Sequence, residues 1–449
     1  MTRARMDGLY LMLLGGVVFL LVGVVLINSD TVPAMDFRTA HFSGQCLLQR
    51  GCDPYNERDI ERLYLQSKVD HPPAPERERT VIIRNIYLPP AFAFTVPLAL
   101  LPFHLGLVIW LILIAASFLL ASFLMWDVGA RRAPIIAAGL ICFCLANSGS
   151  LLHFANPAGF VVPLCVLASW CFIEERFVLI GILSLALGLA FKPHDVAFVW
   201  LFFFLAGGTL RHRALQTLAV FAVFGVPATL WVRHISPNFL QEISSNLKVF
   251  TVRGGMNDPR GVHGTELLTN LQAITSFFWE NAHMYDLVSY LICAPLLIIW
   301  AVITWRSRPS RETVWFGLAA IAALSMLPVY HRQYDAKLII LAIPALAILW
   351  ARRDKLAWIG LVVTTAAFVL NGDIPWAFFI TAVGKLHLSA ATSYGRLLTA
   401  VWDFPVPLSL LAMGTFYLWI YARSSLTADA AKNQSIAREQ AQISPALSS

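Results

Sequence analysis

Charged residues are scarce in this sequence. Asp, Glu, Lys and Arg together make up 13% of the 449 residues, whereas 58% are hydrophobic and the mean hydropathy is +0.68. Soluble domains are typically about 25% charged, and a soluble chain of this composition could not bury its apolar surface. The scarcity of charge therefore excludes an ordinary soluble protein and predicts an all-α polytopic membrane protein.

Cysteine motifs for metal binding or redox chemistry are also absent, because the seven cysteines form no CxxC pair. Five of them lie inside apolar runs and are expected to be small core residues. Cys46 and Cys52 both fall in the first long polar loop. If that loop is extracytoplasmic, the two residues form either a disulfide or two free thiols, and the sequence leaves both open. The His and Asp residues of the loops show no ligand spacing, so we expect no metal site.

Twelve apolar runs are long enough, or nearly long enough, to cross a bilayer. They cover roughly 9–27, 104–126, 134–152, 157–173, 177–191, 196–210, 214–232, 287–305, 313–329, 338–350, 356–370 and 404–421. Every second connector is short and basic, which is typical of cytoplasmic connectors. The net charge of +7 is thus explained by topology and not by a nucleic-acid partner.

This pattern predicts a multi-pass protein of the cell (inner) membrane with both termini in the cytoplasm. One transmembrane domain is expected over residues 1–423, followed by a polar cytoplasmic tail at 424–449 that we expect to be disordered. The long loops at about 28–103, 233–286 and 371–403 are expected to face outward. Long loops usually carry function, so the active site is expected on this extracytoplasmic face.

Asp36 lies just beyond the first apolar run, at the start of a stretch over 34–50 that predicts a short amphipathic helix. A carboxylate there is either a helix cap in contact with water or a catalytic group. The unusual polar residues that the same face carries favour the catalytic interpretation.

Lys192-Pro193-His194-Asp195 and His331-Arg332-Gln333-Tyr334-Asp335 adjoin apolar runs of 13 to 15 residues. Such helices rise about 20–22 Å, less than the hydrocarbon core of about 30 Å, so the connectors are expected to dip inward. Cations at that depth often mark an anion or substrate path, although Lys192 could also reach the interface along its own stem and Arg332 could simply pair with Asp335. Asn156-Pro157 and Tyr87-Leu88-Pro89-Pro90 complete the set, and a structural role at the membrane edge would explain both.

One carboxylate with several cations suits the transfer of a sugar from a lipid phosphate to a hydroxyl. The acceptor alcohol needs a base, and the departing phosphate needs positive charge. No second carboxylic acid is needed, because the phosphate leaves without protonation.

An ordered series of motifs resembles a known family. Asp36-Phe37, Gly51-Cys52-Asp53-Pro54-Tyr55, Tyr87-Leu88-Pro89-Pro90, Lys192-Pro193 and His331 to Asp335 follow the order seen in polyprenyl-phosphate-sugar-dependent glycosyltransferases of the GT-C superfamily. They are most like the mannosyltransferase group of glycosyltransferase family 87. The Gly-Gln-x-Asn of many relatives reads His153-Phe154-Ala155-Asn156 here and keeps only the Asn. The oligosaccharyltransferase motif Trp-Trp-Asp-Tyr-Gly is absent.

The resemblance implies a GT-C-like bundle and an inverting transfer of a sugar, with mannose favoured, to a glycolipid, glycan or protein. It implies Asp36 as the general base and basic residues around the donor phosphate, for which we name Lys192, His331 and Arg332. Substrate-binding or orienting roles are assigned to Tyr55, Tyr87, Asn156, His194 and Asp335. The expected partners are the lipid-linked donor and membrane lipids, with no cofactor beyond that co-substrate. The alternatives are a lipid or small-molecule transporter and a non-catalytic assembly factor.

Overall fold

The computed structural model describes residues 2–443, apart from 30–31, 71, 260–267, 308, 354, 376, 379–400 and 403, with side chains as far as residue 426. The described chain is helical, and its one recorded β-bridge pairs Leu268 with Arg332. This architecture confirms the prediction of an all-α polytopic membrane protein.

The first half of the chain forms a long helix, a group of short helices and then the body of the bundle. In order, these are α1 (Arg3–Ser29), α2 (Met35–Leu48), α3 (Glu57–Ser67), α4 (Glu76–Ile83), a 3₁₀ turn (Pro89–Ala91), α5 (Phe92–Ala99), α6 (Phe103–Ala130), α7 (Pro134–Ala146), α8 (Ser150–Phe154), α9 (Ala158–Ile173) and α10 (Val178–Phe191).

The second half completes the bundle and adds a second group of connecting helices. These are α11 (Pro193–Ala206), α12 (Gly208–Ile235), α13 (Phe239–Thr251), α14 (Gln272–Phe278), α15 (Ala282–Ser307), α16 (Thr313–Leu324), a 3₁₀ helix (Asp335–Leu341), α17 (Ala342–Ala351), α18 (Lys355–Leu370) and α19 (Pro405–Ile443).

Six helical segments of the described chain are long and apolar enough to cross a membrane: α1, α6, Pro134–Phe154, α12, α15 and the first part of α19. Each of the other predicted spans coincides with a shorter helix. The run at 338–350 begins as the 3₁₀ helix and continues as α17. The 14-residue helices α10 and α11 rise about 21 Å each, which is less than a hydrocarbon core.

The centre of the bundle is α16, whose twelve residues are all buried. Because it is apolar on every side, it has no face suited to water, and it packs against α17 and α19. Small residues bring other helices together. A Cβ added at Gly15 of α1 would lie 2.7 Å from the Cα of Cys142 in α7, so only glycine allows this approach.

The two ends of the bundle differ in their charges. Near the end of α6, Asp127 bonds to Arg5 and Arg131 at 2.9 and 2.7 Å. Glu174 and Glu312 pair in the same way with arginines of the other basic connectors. The first turn of α6 lies at the opposite end of this 28-residue helix, about 40 Å from its last turn. That first turn packs against α2. The basic connectors thus gather at one end, and α2 lies at the other.

Two segments near the C-terminus were predicted to lie outside the helices: the loop at 371–403 and the tail at 424–449. The helix α19 continues to Ile443, into the segment 424–449 for which the sequence predicts a disordered tail. Before Pro445 the segment has no Gly or Pro and contains five alanines, so its intrinsic helix propensity is high. The loop predicted at 371–403 lies largely outside the described residues.

The short helix predicted over 34–50 is confirmed as α2, but ten of its fourteen residues are buried, so it is not an amphipathic surface helix. Its C-terminal end is tied to the next turn by a disulfide between Cys46 and Cys52, whose Cα atoms are 5.2 Å apart. The other five cysteines are free. The disulfide, one of the two outcomes left open by the sequence, therefore fixes the C-terminal end of the helix that carries Asp36 in its first turn.

We predict that the denatured, unreduced protein exposes five reactive thiols and that reduction raises the number to seven. The Cys46→Ser/Cys52→Ser variant should give five thiols with or without reductant. It should also unfold more easily, since a disulfide closing so short a loop contributes about 2 kcal/mol in the chain-entropy model. Mass spectrometry after alkylation checks the count, and seven thiols before reduction would contradict it.

Candidate functional site

Four connections meet at the α2 end of the bundle. They are the start of α2, the turn between α8 and α9, the break between α10 and α11, and the segment that leads from α16 into the 3₁₀ helix. Each of them interrupts a helix, which leaves polar side chains free to turn toward one another. The site consists of the charged and amide side chains contributed by these connections.

Asp36 lies in the first turn of α2 and is held from the neighbouring connection. Ala34, immediately before the helix, adopts a left-handed conformation (φ 59°), and its N–H donates to the carbonyl of His153 at 2.8 Å. Asp36 Oδ2 accepts a hydrogen bond from Asn156 Nδ2 at 2.9 Å. Its other oxygen accepts none from the described residues. Asp36 lies deep in the protein yet keeps part of its surface accessible.

Burial raises the pKa of Asp36 above its ordinary value of 3.8. The hydrogen bond from Asn156 and the positive charges of Lys192 and Arg332 lower it, but they do not offset the burial. The carboxylate is thus a stronger base than one in water, while cations nearby still favour its charged form.

Asn156 connects Asp36 to the rest of the site. It precedes Pro157, where α9 begins, and its Oδ1 accepts a hydrogen bond from the Ala158 N–H at 2.9 Å. The same oxygen lies 3.4 Å from Lys192 Nζ. Because the amide oxygen faces these donors, the amide nitrogen is directed at Asp36.

Lys192 lies at the break between α10 and α11. Pro193 begins α11, and a proline disfavours the helical conformation for the residue before it; Lys192 is accordingly non-helical (φ −139°, ψ 76°). Its ammonium is buried, forms a short ion pair with Asp335, and lies 3.4 Å from Asp195 Oδ2. Lys192 therefore lies among three acceptors and does not extend toward water.

Asp195 and two histidines form the part of the site farthest from Asp36 in the hydrogen-bond network. Asp195 Oδ1 lies 3.3 Å from His331 Nε2 and 3.5 Å from His194 Nε2. His331 is fully buried, and its Nδ1 lies 2.9 Å from the carbonyl of Val329. Burial lowers the pKa of His331, but Asp195 and Asp335 more than offset this effect and raise it.

Arg332 is anchored by its neighbours. Its Nε donates to the Tyr330 hydroxyl at 2.6 Å, and its Nη2 donates to the Met256 carbonyl and to Asn257 Oδ1 at 2.8 and 3.1 Å. No described residue accepts a hydrogen bond from its Nη1. Asp335 Oδ2 accepts a hydrogen bond from the Arg332 backbone N–H at 2.9 Å, so one carboxylate fixes both this turn and Lys192.

Most of the residues selected from the sequence come together here. The predicted residues that share the network are Asp36, Asn156, Lys192, His194, His331, Arg332 and Asp335. Tyr87 lies within electrostatic reach of Asp36. The pKa of its hydroxyl is raised, first by burial and second by the charge of Asp36. Tyr55 lies outside the network, fully buried, with its hydroxyl donating to the Tyr87 carbonyl at 2.8 Å.

Three members of the site were not assigned roles from the sequence: Asp195, Tyr330 and Tyr334. Asp195 was part of the Lys-Pro-His-Asp connector, but a carboxylate in the first turn of a helix is also a common helix-terminal residue. Tyr330 and Tyr334 flank the His-Arg motif. Aromatic residues are common at a membrane edge, so their presence there does not by itself indicate a role in the site. In the structure, the Lys192 ammonium lies 5.2 Å from the Tyr334 ring, and Tyr330 holds Arg332.

Fold and site together define a helical, multi-span membrane protein with a buried charged site at one end of its bundle. Residues 85–330, more than half of the chain, match the model of glycosyltransferase family 87, and the chain belongs to that family. It is therefore a glycosyltransferase. The match begins after Asp36 and ends before His331. No curated protein matches the chain significantly.

We predict that Asp335→Asn destabilises the protein strongly, because it removes one partner of a buried ion pair. Breaking such a pair typically costs about 3–5 kcal/mol, and Asp195 offsets only part of the loss here. Thermal unfolding in detergent should show a midpoint several degrees lower.

The matched control is Glu61→Gln, which removes the carboxylate of a partly exposed pair with Arg79. Pairs of this kind contribute about 0–1 kcal/mol, so little change is expected. An equal loss in both variants would contradict the structural role given to Asp335.

Proposed function

We propose that this glycosyltransferase moves a sugar from a polyprenyl-phosphate donor to a hydroxyl acceptor, with inversion and with Asp36 as the general base. The observation that carries the proposal is the placement of Asp36: a partly buried carboxylate that Asn156 holds, within electrostatic reach of the buried cations Lys192 and Arg332. Mannose is the favoured sugar because of the motif resemblance, and the acceptor is a glycolipid, glycan or protein.

Asp36 has the properties that a base for an alcohol requires. An alcohol is a weak nucleophile until its proton is removed, and a base is more effective when its pKa is raised. Burial raises the pKa of Asp36, and one of its oxygens accepts no hydrogen bond from the described residues. That oxygen is available to an acceptor hydroxyl, while Asn156 holds the other.

Lys192 and Arg332 supply the positive charge that a phosphate leaving group needs. Both charges act on Asp36 electrostatically, so they lie within the same site. Arg332 keeps its Nη1 free of described acceptors and is the better candidate for a direct bond to a phosphate oxygen. The sequence suggested His331 as well, but its two ring nitrogens face Val329 and Asp195. The phosphate role is therefore assigned to Lys192 and Arg332.

In the proposed reaction, the Asp36 carboxylate takes the proton of the acceptor hydroxyl. The hydroxyl oxygen forms a bond to C1 of the sugar, and the bond between C1 and the phosphate oxygen breaks. The phosphate leaves with the electron pair, and the negative charge that it gains is stabilised by the cations. Attack on the face opposite the leaving group inverts the configuration at C1.

The end of the bundle that carries the site also favours an extracytoplasmic location. The basic connectors gather at the opposite end, and basic connectors are typical of the cytoplasmic side. A donor with a polyprenyl tail is available at that membrane surface, where apolar helices could hold the tail. A transporter would be expected to carry its charges near the bilayer midplane, whereas here they cluster at one end.

We predict that Asp36→Asn lowers the rate of sugar transfer by about 10²–10⁴, the usual contribution of a general base. The amide keeps the size of the carboxylate, so folding and donor binding should persist. The measurement is transfer of radiolabelled sugar from polyprenyl phosphate in proteoliposomes, with donor binding measured separately.

Asp7→Asn serves as the control, because Asp7 is an exposed carboxylate near the other end of α1. It should transfer sugar at the wild-type rate. Turnover of Asp36→Asn within about threefold of wild type would rule out the base role.

We further predict that Arg332→Gln raises the KM for the donor at least about tenfold and leaves the KM for the acceptor unchanged. Loss of a charge-assisted bond to the phosphate explains the direction. Arg79→Gln, at a partly exposed arginine, is the control. An equal increase in both KM values would contradict the phosphate-binding role and indicate that Arg332 only stabilises the structure.

A further inference from the structure

Two histidines and a carboxylate from separate connections meet beside the proposed catalytic residues. His194 and Asp195 begin α11, whereas His331 precedes the 3₁₀ helix. One ligand atom from each of them lies within 4.8 Å of the other two. No metal-ligand spacing is visible in the sequence, because the third ligand is distant along the chain. We call these three residues the His-Asp-His cluster.

The hydrogen bonds of His331 define which of its nitrogens carries a proton. Its Nδ1 lies 2.9 Å from the Val329 carbonyl, and a carbonyl oxygen can only accept. Nδ1 therefore carries the proton, and in a neutral ring Nε2 presents a lone pair. This lone pair faces Asp195 Oδ1 at 3.3 Å. Metal-binding histidines typically donate from the other ring nitrogen to a carbonyl or carboxylate in just this manner.

Asp195 is the least satisfied carboxylate of the site. It is fully buried, yet neither of its oxygens accepts a well-formed hydrogen bond from the described residues. Its closest cation is Lys192 Nζ at 3.4 Å, and that ammonium is bonded more tightly to Asp335. A buried carboxylate without such bonds is costly, so a further cation at Asp195 is favoured.

Two of the three spacings between the ligand atoms match a tetrahedral metal centre, and the third is within 4.8 Å. Zinc binds imidazole nitrogen and carboxylate oxygen at about 2.0–2.2 Å, which places neighbouring ligand atoms about 3.3–3.5 Å apart. The two measured distances from Asp195 Oδ1, to His331 Nε2 and to His194 Nε2, are 3.3 and 3.5 Å. The His194 side chain is 41% exposed, which gives an ion access from outside the protein.

The charges of the whole site also favour an additional cation. Its three carboxylates are Asp36, Asp195 and Asp335, and its two permanent cations are Lys192 and Arg332. When both histidines are in the neutral form that metal binding requires, one negative charge is left without a partner. A divalent ion would reverse the sign of the balance, which suits a site that receives an anionic phosphate.

We propose that His194, Asp195 and His331 bind one divalent transition-metal ion of the Zn²⁺ class, with its fourth position open on the exposed side of His194. Two imidazoles and one carboxylate favour such an ion over Mg²⁺ or Ca²⁺, which prefer oxygen ligands. Three protein ligands with one open position are typical of catalytic rather than structural sites. The proposal does not depend on the reaction proposed above, because metal binding is measured directly.

The competing arrangement places a proton, not a metal, between His331 and Asp195. An imidazolium paired with the carboxylate would also satisfy both atoms. The two arrangements exclude each other, because the proton and the metal ion compete for the same lone pair of His331 Nε2. Metal content therefore separates them.

The experiment uses the full chain purified in detergent without a polyhistidine tag, stripped with a chelator and then titrated with Zn²⁺. Bound metal is counted by mass spectrometry, and Co²⁺ is used as a spectroscopic substitute that reports tetrahedral coordination by visible absorption. We expect about one ion per chain. His194→Ala and Asp195→Asn should each lower the affinity at least about tenfold, since even supporting residues of metal sites have effects of this size.

His212→Ala is the matched control, because His212 is an exposed histidine remote in sequence from the cluster, and it should bind the metal as wild type does. Failure of wild type to retain stoichiometric Zn²⁺, or unchanged affinity in His194→Ala, would overturn the proposal. If Asp195→Asn does not fold, His194→Ala alone decides, since its side chain is largely accessible. Metal binding with no sugar transfer would contradict only the proposed function.

Discussion

The buried ammonium of Lys192 is the group on which the arrangement of the site depends. Placing one positive charge inside the protein is unfavourable unless acceptors surround it. Asp335, Asn156 and Asp195 do so, and they come from three connections that are far apart in the sequence. The charge thus fixes the relative positions of these connections. Each of them in turn carries a residue with a chemical role, so the geometry of the site follows from the need to satisfy one cation.

The neutral amide of Asn156 lies between Lys192 and Asp36, and this separation matters for reactivity. A direct salt bridge would lower the pKa of Asp36 and make it a weaker base. A hydrogen bond from an amide fixes the carboxylate at a smaller electrostatic cost. The distant charge of Lys192 then only moderates the effect of burial, and the pKa of Asp36 stays raised. The order ammonium, amide, carboxylate keeps a base positioned without neutralising it.

The sequence predicted the features that depend on local chemistry. The apolar runs predicted the helices, and Pro157 and Pro193 predicted two of the breaks between them. Asp36 and Lys192 were selected because charged residues are rare in this chain. What it could not predict were contacts between connections. Asp195 looked like an ordinary helix-terminal residue, because its neighbour His331 is distant along the chain.

Asp195 joins the two halves of the site, and this has a consequence for any cation bound beside it. Its Oδ1 faces the histidines, whereas its Oδ2 lies near Lys192. An ion at Oδ1 draws the negative charge of Asp195 away from Lys192. The Lys192 ammonium then interacts more strongly with its other two acceptors, Asp335 and Asn156. A firmer bond from Lys192 to the Asn156 oxygen polarises the amide and strengthens its donation to Asp36. The proposed His-Asp-His site is therefore connected to Asp36 through two side chains, Lys192 and Asn156.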